Sequence, residues 1–242
     1  ATGKTAKQVE EELKRLDDYA DKTVYSTADM LNNLPKFTNA GVELEAATTA
    51  MIGIANATAL AGGDANKASI AFYNLGQAIG TGYLTRMDYN SINNAGIATM
   101  EWKNQMVDAA VAAGTLKKVG EDTYQAGKKT FTLQQLFIDG LQEQWATTDV
   151  MMKVFKDYGD ETTAIGKKAY SSAQDIKTFS MMMDSLKATA GTGWKDTWQI
   201  IFGDLDEAKE LWTGLTNFIS GIITGMADFR NYILESALGR SF

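Results

Sequence analysis

The sequence predicts an all-α protein, a multi-helix bundle of short and medium helices with a small loop or β-hairpin insertion near residues 116–131. Proline interrupts helices, and only 1 of the 242 residues is a proline. Alanine, methionine, glutamine, lysine and glutamate, which favour helix, are plentiful. Glycine stands where helical patterns stop, and Ser, Thr or Asp stands where they begin. A chain of this length can bury a core as one large helical domain or two small ones.

The first sixty residues carry three predicted helices. Residues 5–20 combine charged positions with an apolar stripe at helical spacing, which is typical of a surface helix. Ser26 is a favoured N-cap, and the helix that it opens is predicted to stop before Pro35, because the residue before a proline avoids the α region. Residues 42–61 predict a helix rich in small residues, which two consecutive glycines end.

The next segment predicts two helices joined by a glycine turn. Asp64 is expected to cap a helix over residues 65–79, and Gly80-Thr81-Gly82 is expected to form the turn. Thr85 is followed three residues later by Asp88, which is the spacing of a capping box. The short helix that this pair opens is predicted to end at a left-handed Gly96.

The second half of the chain begins with one break in the helical pattern. A helix is predicted between Thr99 and Gly114, and residues 116–131 then show weak alternation and turn residues, which favour an exposed loop or a small β-hairpin. Two further helices are predicted, one that Thr132 caps and that runs through Trp145, and one that Thr148 caps and that runs through Tyr158. The pattern is helical again from residue 162 to the end, with glycine breaks near residues 191–193 and 203.

The composition excludes several kinds of chemistry. The chain has no cysteine and no histidine, so Ser-His-Asp catalysis, Cys-His catalysis and zinc sites built from these residues cannot form. Carboxylates remain available for acid–base work or hard cations. We expect no enzyme activity, no catalytic residue, no metal site and no cofactor. The net charge of −7 argues against non-specific binding to nucleic acid.

Residues 71–98 contain a motif built around the glycine turn. Its matching residues are Gln77, Gly80, Gly82, Leu84, Asp88, Gly96 and Ile97. The motif resembles the conserved region of bacteriophage and prophage tail tape measure proteins, in which a helix ends in Gln, a Gly-x-Gly-x-Leu turn follows, an acidic residue opens the next helix and Gly-Ile-Pro closes it. Ala98 stands where that family usually has proline, so the last turn is expected to be less rigid. The resemblance covers roughly residues 25–215.

The resemblance implies a structural protein of the virion, involved in tail assembly, tail length determination and DNA ejection. The implied location is the lumen of the virion tail, and the host cytoplasm during assembly. The implied partners are other copies of the chain, the tail tube, tail tip and tail assembly chaperone proteins, and the host membrane or cell envelope during ejection. Sequence-specific binding to nucleic acid is not expected. Such proteins are far longer than 242 residues and this chain begins with Ala1 in place of methionine, so we expect one section of a longer protein.

Three parts are predicted along the chain. Residues 1–24 form an amphipathic helix that belongs to the bundle or serves as a linker, residues 25–203 form the tape-measure helical region, and residues 204–242 form a long C-terminal helix. Three tryptophans at spacings that fit one helical cluster serve either as core or as partner-docking residues: Trp194, Trp198 and Trp212. The many glycine breaks favour a compact bundle over a rod, and we expect the bundle to extend when it is packed into a narrow tail tube.

Other interpretations stay open at this point. The Gly80-Thr81-Gly82 turn is either a helix–helix turn or a phosphate cradle, although phosphate loops follow a strand. Gln77 bonds either to the orphan groups of the turn or to a ligand. The apolar last helix, with Gly221 and Gly225 one turn apart, suggests a membrane-active module for DNA passage. Glu235 before a serine resembles the Glu-Ser pair of cell-wall transglycosylases, which would make the chain part of a hydrolase.

Overall fold

The fold is all-α with one small sheet, as the sequence predicts. A computed structural model describes residues 5–190, and the side chains within that range except those of residues 179 and 182–190. The elements, in chain order, are α1 Ala6–Lys22, α2 Thr27–Asn39, α3 Leu44–Leu60, α4 Ala65–Thr81, α5 Arg86–Asn94, α6 Met100–Ala113, β1 Lys117–Gly120, β2 Thr123–Ala126, β3 Lys129–Thr132, α7 Leu133–Leu136, a 3-10 turn Gly140–Glu143, α8 Thr148–Gly159 and α9 Ala164–Ala190.

The chain divides into two units between Gln174 and Asp175. The first unit holds α1 to α8, the sheet and the beginning of α9. Of the second unit, the structure describes the continuation of α9 over residues 175–190. The predicted glycine breaks after residue 190 and the predicted C-terminal helix over residues 204–242 lie outside the described residues.

Helix α3 is the centre of the first unit. Its residues are buried on every side from Ala50 to Ala59, which explains why small side chains occupy so much of it. Its closest neighbour is α8. A Cβ atom added at Gly53 would lie 2.7 Å from the carbonyl carbon of Phe155, and one added at Gly159 would lie 3.1 Å from the amide nitrogen of Gly53. The two backbones therefore touch where the helices cross, because glycines face each other there.

A buried asparagine links three helices of this core. The hydroxyl of Tyr19 on α1 donates to Oδ1 of Asn56 on α3 over 2.8 Å, and Nδ2 of Asn56 donates to the carbonyl oxygen of Tyr158 on α8 over 2.8 Å. Asn56 is fully buried, so both bonds replace water that the amide has lost. Burial also raises the pKa of the Tyr19 hydroxyl well above its ordinary value.

The prediction that the second helix stops before Pro35 is wrong. Helix α2 runs to Asn39 with Pro35 inside it. A proline inside a helix costs about 3 kcal/mol. The burial of three apolar side chains that flank it in α2 offsets this cost: Met30, Leu34 and Phe37. Ser26 is the N-cap as predicted and accepts from the amide of Asp29.

The segment predicted as a loop or hairpin is a small antiparallel sheet with the strand order β1-β2-β3. Strand β1 is exposed throughout, while Tyr124, Ala126 and Phe131 on β2 and β3 are buried. The sheet therefore has a covered side and an edge that faces solvent.

The helix predicted over residues 132–145 is also wrong. Helix α7 ends at Leu136, a 3-10 turn follows, and Gln144 takes a left-handed φ of 54°. The chain bends so that the ring of Trp145 meets the ring of Phe137 edge-on with centroids 5.2 Å apart, and Nε1 of Trp145 donates to the carbonyl oxygen of Leu136. This tertiary packing overrides the local helical pattern.

Candidate functional site: the hairpin of α4 and α5

The two helices of the glycine motif are separated by Gly82. Helix α4 continues through Gly80 and Thr81, so the predicted three-residue turn is shorter than expected. Gly82 ends the helix with a left-handed φ of 100°, and its amide donates to the carbonyl oxygens of Ala78 and Ile79. Only glycine takes this conformation without a steric penalty. The glycine at position 82 is therefore required by the backbone.

The link between α4 and α5 is bonded to the segment that precedes α8. The amide of Leu84 donates to the carbonyl oxygen of Ala146 over 2.8 Å, and the amide of Thr148 donates to the carbonyl oxygen of Gly82 over 2.9 Å. The hydroxyl of Thr148 also donates to the carbonyl oxygen of Ile79 over 3.0 Å. Leu84 is fully buried. A phosphate cradle would need free amide donors, but the amides of Gly82 and Leu84 are both bonded to carbonyl oxygens within the fold, so the segment acts as a structural turn.

The cap of α8 differs from the prediction by one residue for the same reason. Thr147 is the N-cap, and its hydroxyl accepts from the amide of Val150. Thr148, which was predicted to open this helix, is instead committed to the α4 turn. Nothing in the local sequence distinguishes two consecutive threonines, since either one can cap.

The predicted capping box at the start of α5 is confirmed. The amide of Asp88 donates to the hydroxyl oxygen of Thr85 over 3.2 Å, and the amide of Thr85 donates to Oδ2 of Asp88 over 3.3 Å. The Thr85 hydroxyl itself donates to the same carboxylate oxygen over 2.6 Å. The Asp88 side chain is buried with 7% exposure. Its carboxylate is therefore used for the helix terminus.

Gly96 and Ile97 close the hairpin. Gly96 has a left-handed φ of 79°, as predicted, and its amide donates to the carbonyl oxygen of Asn93. The amide of Ile97 donates to the carbonyl oxygen of Ile92, and the Ile97 side chain is buried. Ala98 is buried as well, in the place where the resembling family has proline.

Two motif residues have no such role inside the fold. Gln77 is exposed, and its side-chain amide donates to the hydroxyl of Tyr73 over 3.3 Å, so the predicted bond to the turn is not formed. Gly80 is exposed too, and a Cβ atom added there would meet nothing within 4 Å. The structure gives no internal reason for a glycine at position 80.

An aromatic cluster that the sequence does not predict packs against the hairpin through Tyr89 of α5. Tyr89 of α5 lies 5.3 Å from Phe137 between ring centroids, and Phe137 also contacts Trp102 and Trp145. Residues from α5, α6 and the segment after α7 meet there. Their separation along the chain leaves no periodic signal, so only the tertiary fold could have shown the cluster.

The acidic residues do not converge on a metal-binding arrangement within the described part of the chain. Among residues 5–190, no group of three or more Asp or Glu side chains could hold a metal ion. No helix in this range is long and apolar enough to cross a membrane. A groove beside α6 and α8 holds two ion pairs, Lys168 with Glu101 and Lys153 with Asp157. Trp194, Trp198, Trp212, Gly221, Gly225 and Glu235 lie outside the described residues.

Comparison with known proteins finds no matching protein family, no matching curated protein and no matching solved structure.

Proposed function

We propose that this chain is a structural section of a phage tail tape measure protein. The observation that carries the proposal is the hairpin of α4 and α5, since five of the seven residues of the resemblance have definite structural uses there. Gly82 and Gly96 both take left-handed conformations, and Asp88 closes a capping box. The biological role itself comes from the resemblance of this motif to the tape measure family.

In this role the chain serves tail assembly, tail length determination and genome delivery. Its partners are other copies of itself and the proteins of the tail tube, the tail tip and the assembly chaperone. It resides in the tail lumen of the virion. The length of the whole tape measure polypeptide sets the length of the tail, and this chain contributes one section of that polypeptide.

An in-frame deletion of the 242 codons in the phage or prophage that encodes the chain tests this role. At 1.5 Å per helical residue, an extended helix of this length spans about 360 Å, whereas a globule of the same length is about 45 Å across. We expect tails shortened by a length between these two values, measured by negative-stain electron microscopy. A value near the upper end would support extension of the bundle inside the tube.

Two results would contradict the proposal. The first is a deletion phage that assembles normal particles with unchanged tails. The second is a native reading frame that encodes little more than this chain, because a tape measure protein must be far longer.

A matched control replaces the same codons with a helical stretch of equal length, which should restore tail length without restoring any docking function of the section.

A further inference from the structure

Helix α4 turns one uncovered face toward solvent. Ile70 is 42% exposed and Tyr73 is 52% exposed, one turn apart. Gln77 and Gly80 follow at helical spacing and are also exposed. We call the surface formed by Lys36, Ile70, Tyr73, Gln77 and Gly80 the Tyr73 face. It combines two exposed apolar side chains with the two motif residues that the fold does not use.

The Tyr73 ring is held in place from two sides. Nζ of Lys36 on α2 lies 3.8 Å from the centroid of the ring, and the amide of Gln77 donates to its hydroxyl. Lys36 can cross α4 because residue 76 is glycine, where an added Cβ atom would lie 2.9 Å from Cδ of Lys36. A pre-positioned aromatic side chain loses little entropy when a partner covers it, so it makes an effective anchor.

The polar groups of this face offer donors that are not used inside the fold. An ammonium has three N–H donors, and Lys36 directs one to Oδ1 of Asn33 over 2.9 Å and presents its charge to the Tyr73 ring. The Tyr73 hydroxyl accepts from Gln77 and keeps its own hydrogen for donation. Burial lowers the pKa of Lys36, which means that its ammonium is partly deprived of water. A carboxylate from outside would restore what the ammonium lacks.

The stretches of α2 and α4 that carry the Tyr73 face contain no acidic residue. The chain has 30 acidic residues among 242, yet residues 30–42 and residues 65–87 contain none. These two stretches include most of α2 and all of α4, which pack side by side. A second copy docking face to face would bring two Lys36 ammonium groups together, which is unfavourable. An acidic partner is the complementary occupant.

We propose that the Tyr73 face is a docking site for an acidic amphipathic helix of a partner protein. An apolar side chain of the partner covers Ile70 and Tyr73, and a carboxylate accepts from Nζ of Lys36 and the Tyr73 hydroxyl. Gly80 lets the partner approach the α4 backbone closely. The docking site stands independently of the tape measure role, because it rests on exposed geometry and charge alone.

The test measures binding of two synthetic peptides to the full chain by fluorescence anisotropy. One labelled helical peptide of about 18 residues carries leucines on one face and glutamates beside them, and its partner peptide has lysines in place of the glutamates. We expect the acidic peptide to bind at least about tenfold more tightly than the basic one. We also expect this binding to weaken as salt is raised.

Four variants locate the binding. Tyr73→Ala removes the anchor and should weaken binding of the acidic peptide about tenfold or more. Lys36→Met keeps the stem but removes the charge, and should abolish the preference for the acidic peptide. Gly80→Leu places a side chain in open space, so it should leave the fold intact and block docking. Met87→Ala changes an exposed side chain on α5, outside this face, and should leave binding unchanged.

Several outcomes would overturn the proposal. Absence of binding to the acidic peptide, or equal binding of both peptides, removes the acidic partner. Unchanged binding in Tyr73→Ala and Gly80→Leu places the peptide elsewhere. Self-association in sedimentation equilibrium that Gly80→Leu abolishes would assign the face to a second copy instead. Circular dichroism of each variant verifies that lost binding does not reflect lost folding.

Discussion

The crossing of α3 and α8 makes a sharp prediction about Gly53. Glycine inside a helix is usually replaced by alanine with a gain of about 0.5–1 kcal/mol. At position 53 the new Cβ atom would overlap the backbone of Phe155, 2.7 Å from its carbonyl carbon and nearer still to the oxygen. Because the obstacle is backbone, no side-chain rotation can relieve it. Gly53→Ala must therefore push the two helices apart.

The size of the effect follows from the same geometry. Ordinary contact with a Cβ atom starts at 3.4 Å, so α8 must retreat by at least about 0.7 Å, and such overpacking typically costs 1–3 kcal/mol. The backbone clash places the cost at the upper end of that range, and the helix-propensity gain subtracts less than about 1 kcal/mol. We expect Gly53→Ala to lower the free energy of unfolding by about 2 kcal/mol.

Gly80→Ala is the matched control, because position 80 is helical and open. It should raise the free energy of unfolding by up to about 1 kcal/mol through helix propensity alone. Urea unfolding followed by far-ultraviolet circular dichroism measures both variants against the wild type. If Gly53→Ala were as stable as Gly80→Ala, the close crossing of the two helices would be wrong.

Three further outcomes are expected from the described residues. Gly82→Ala should destabilise by about 1–2 kcal/mol in urea unfolding, because its φ of 100° is left-handed while nothing crowds the position; an unchanged midpoint would contradict this. Thr85→Ala should cost about 1 kcal/mol by loss of the capping box, whereas Thr85→Ser should retain most of it. Burial raises the pKa of Tyr19, Tyr25 and Tyr158, so the fold favours their protonated forms. This preference adds to the free energy of unfolding. The contribution is fully present below pH 10, the ordinary pKa of tyrosine, and falls above pH 10 by about 1.4 kcal/mol per pH unit for each tyrosine. In an absorbance titration these three should ionise only together with unfolding, and their ionisation near pH 10 in the folded protein would refute the burial.

The features predicted correctly are those decided by neighbouring residues. The cap at Ser26, the capping box of Thr85 and the left-handed Gly96 each depend on contacts within four or five positions. Such contacts can be predicted from the local sequence, because a cap side chain reaches only the next turn of the helix.

The failures share a different cause. Pro35 stays inside a helix because the side chains around it are buried by distant elements. Residues 132–145 leave the helix where Phe137 packs against Tyr89 and Trp102, which belong to earlier helices. Thr148 is drawn away from capping by the carbonyl oxygen of Ile79, which is 69 positions earlier. In each case a contact between remote segments outweighs a local preference. The periodicity of the sequence does not show which remote segment will pack against a given helix.

The seven motif residues fall into two groups, those that build the hairpin and those that lie on its surface. Gly82, Leu84, Asp88, Gly96 and Ile97 build the hairpin through backbone conformation, capping and burial. Gln77 and Gly80 contribute nothing that the interior requires, and both lie on the Tyr73 face.

This division separates folding from recognition in one experiment. Changing Gly82 should lower stability and leave the Tyr73 face unaltered, so peptide binding by the folded fraction should persist. Changing Gly80 to leucine should leave stability nearly unchanged, because the site is open, and should abolish peptide binding. If both changes affected only stability, the surface would have no role of its own.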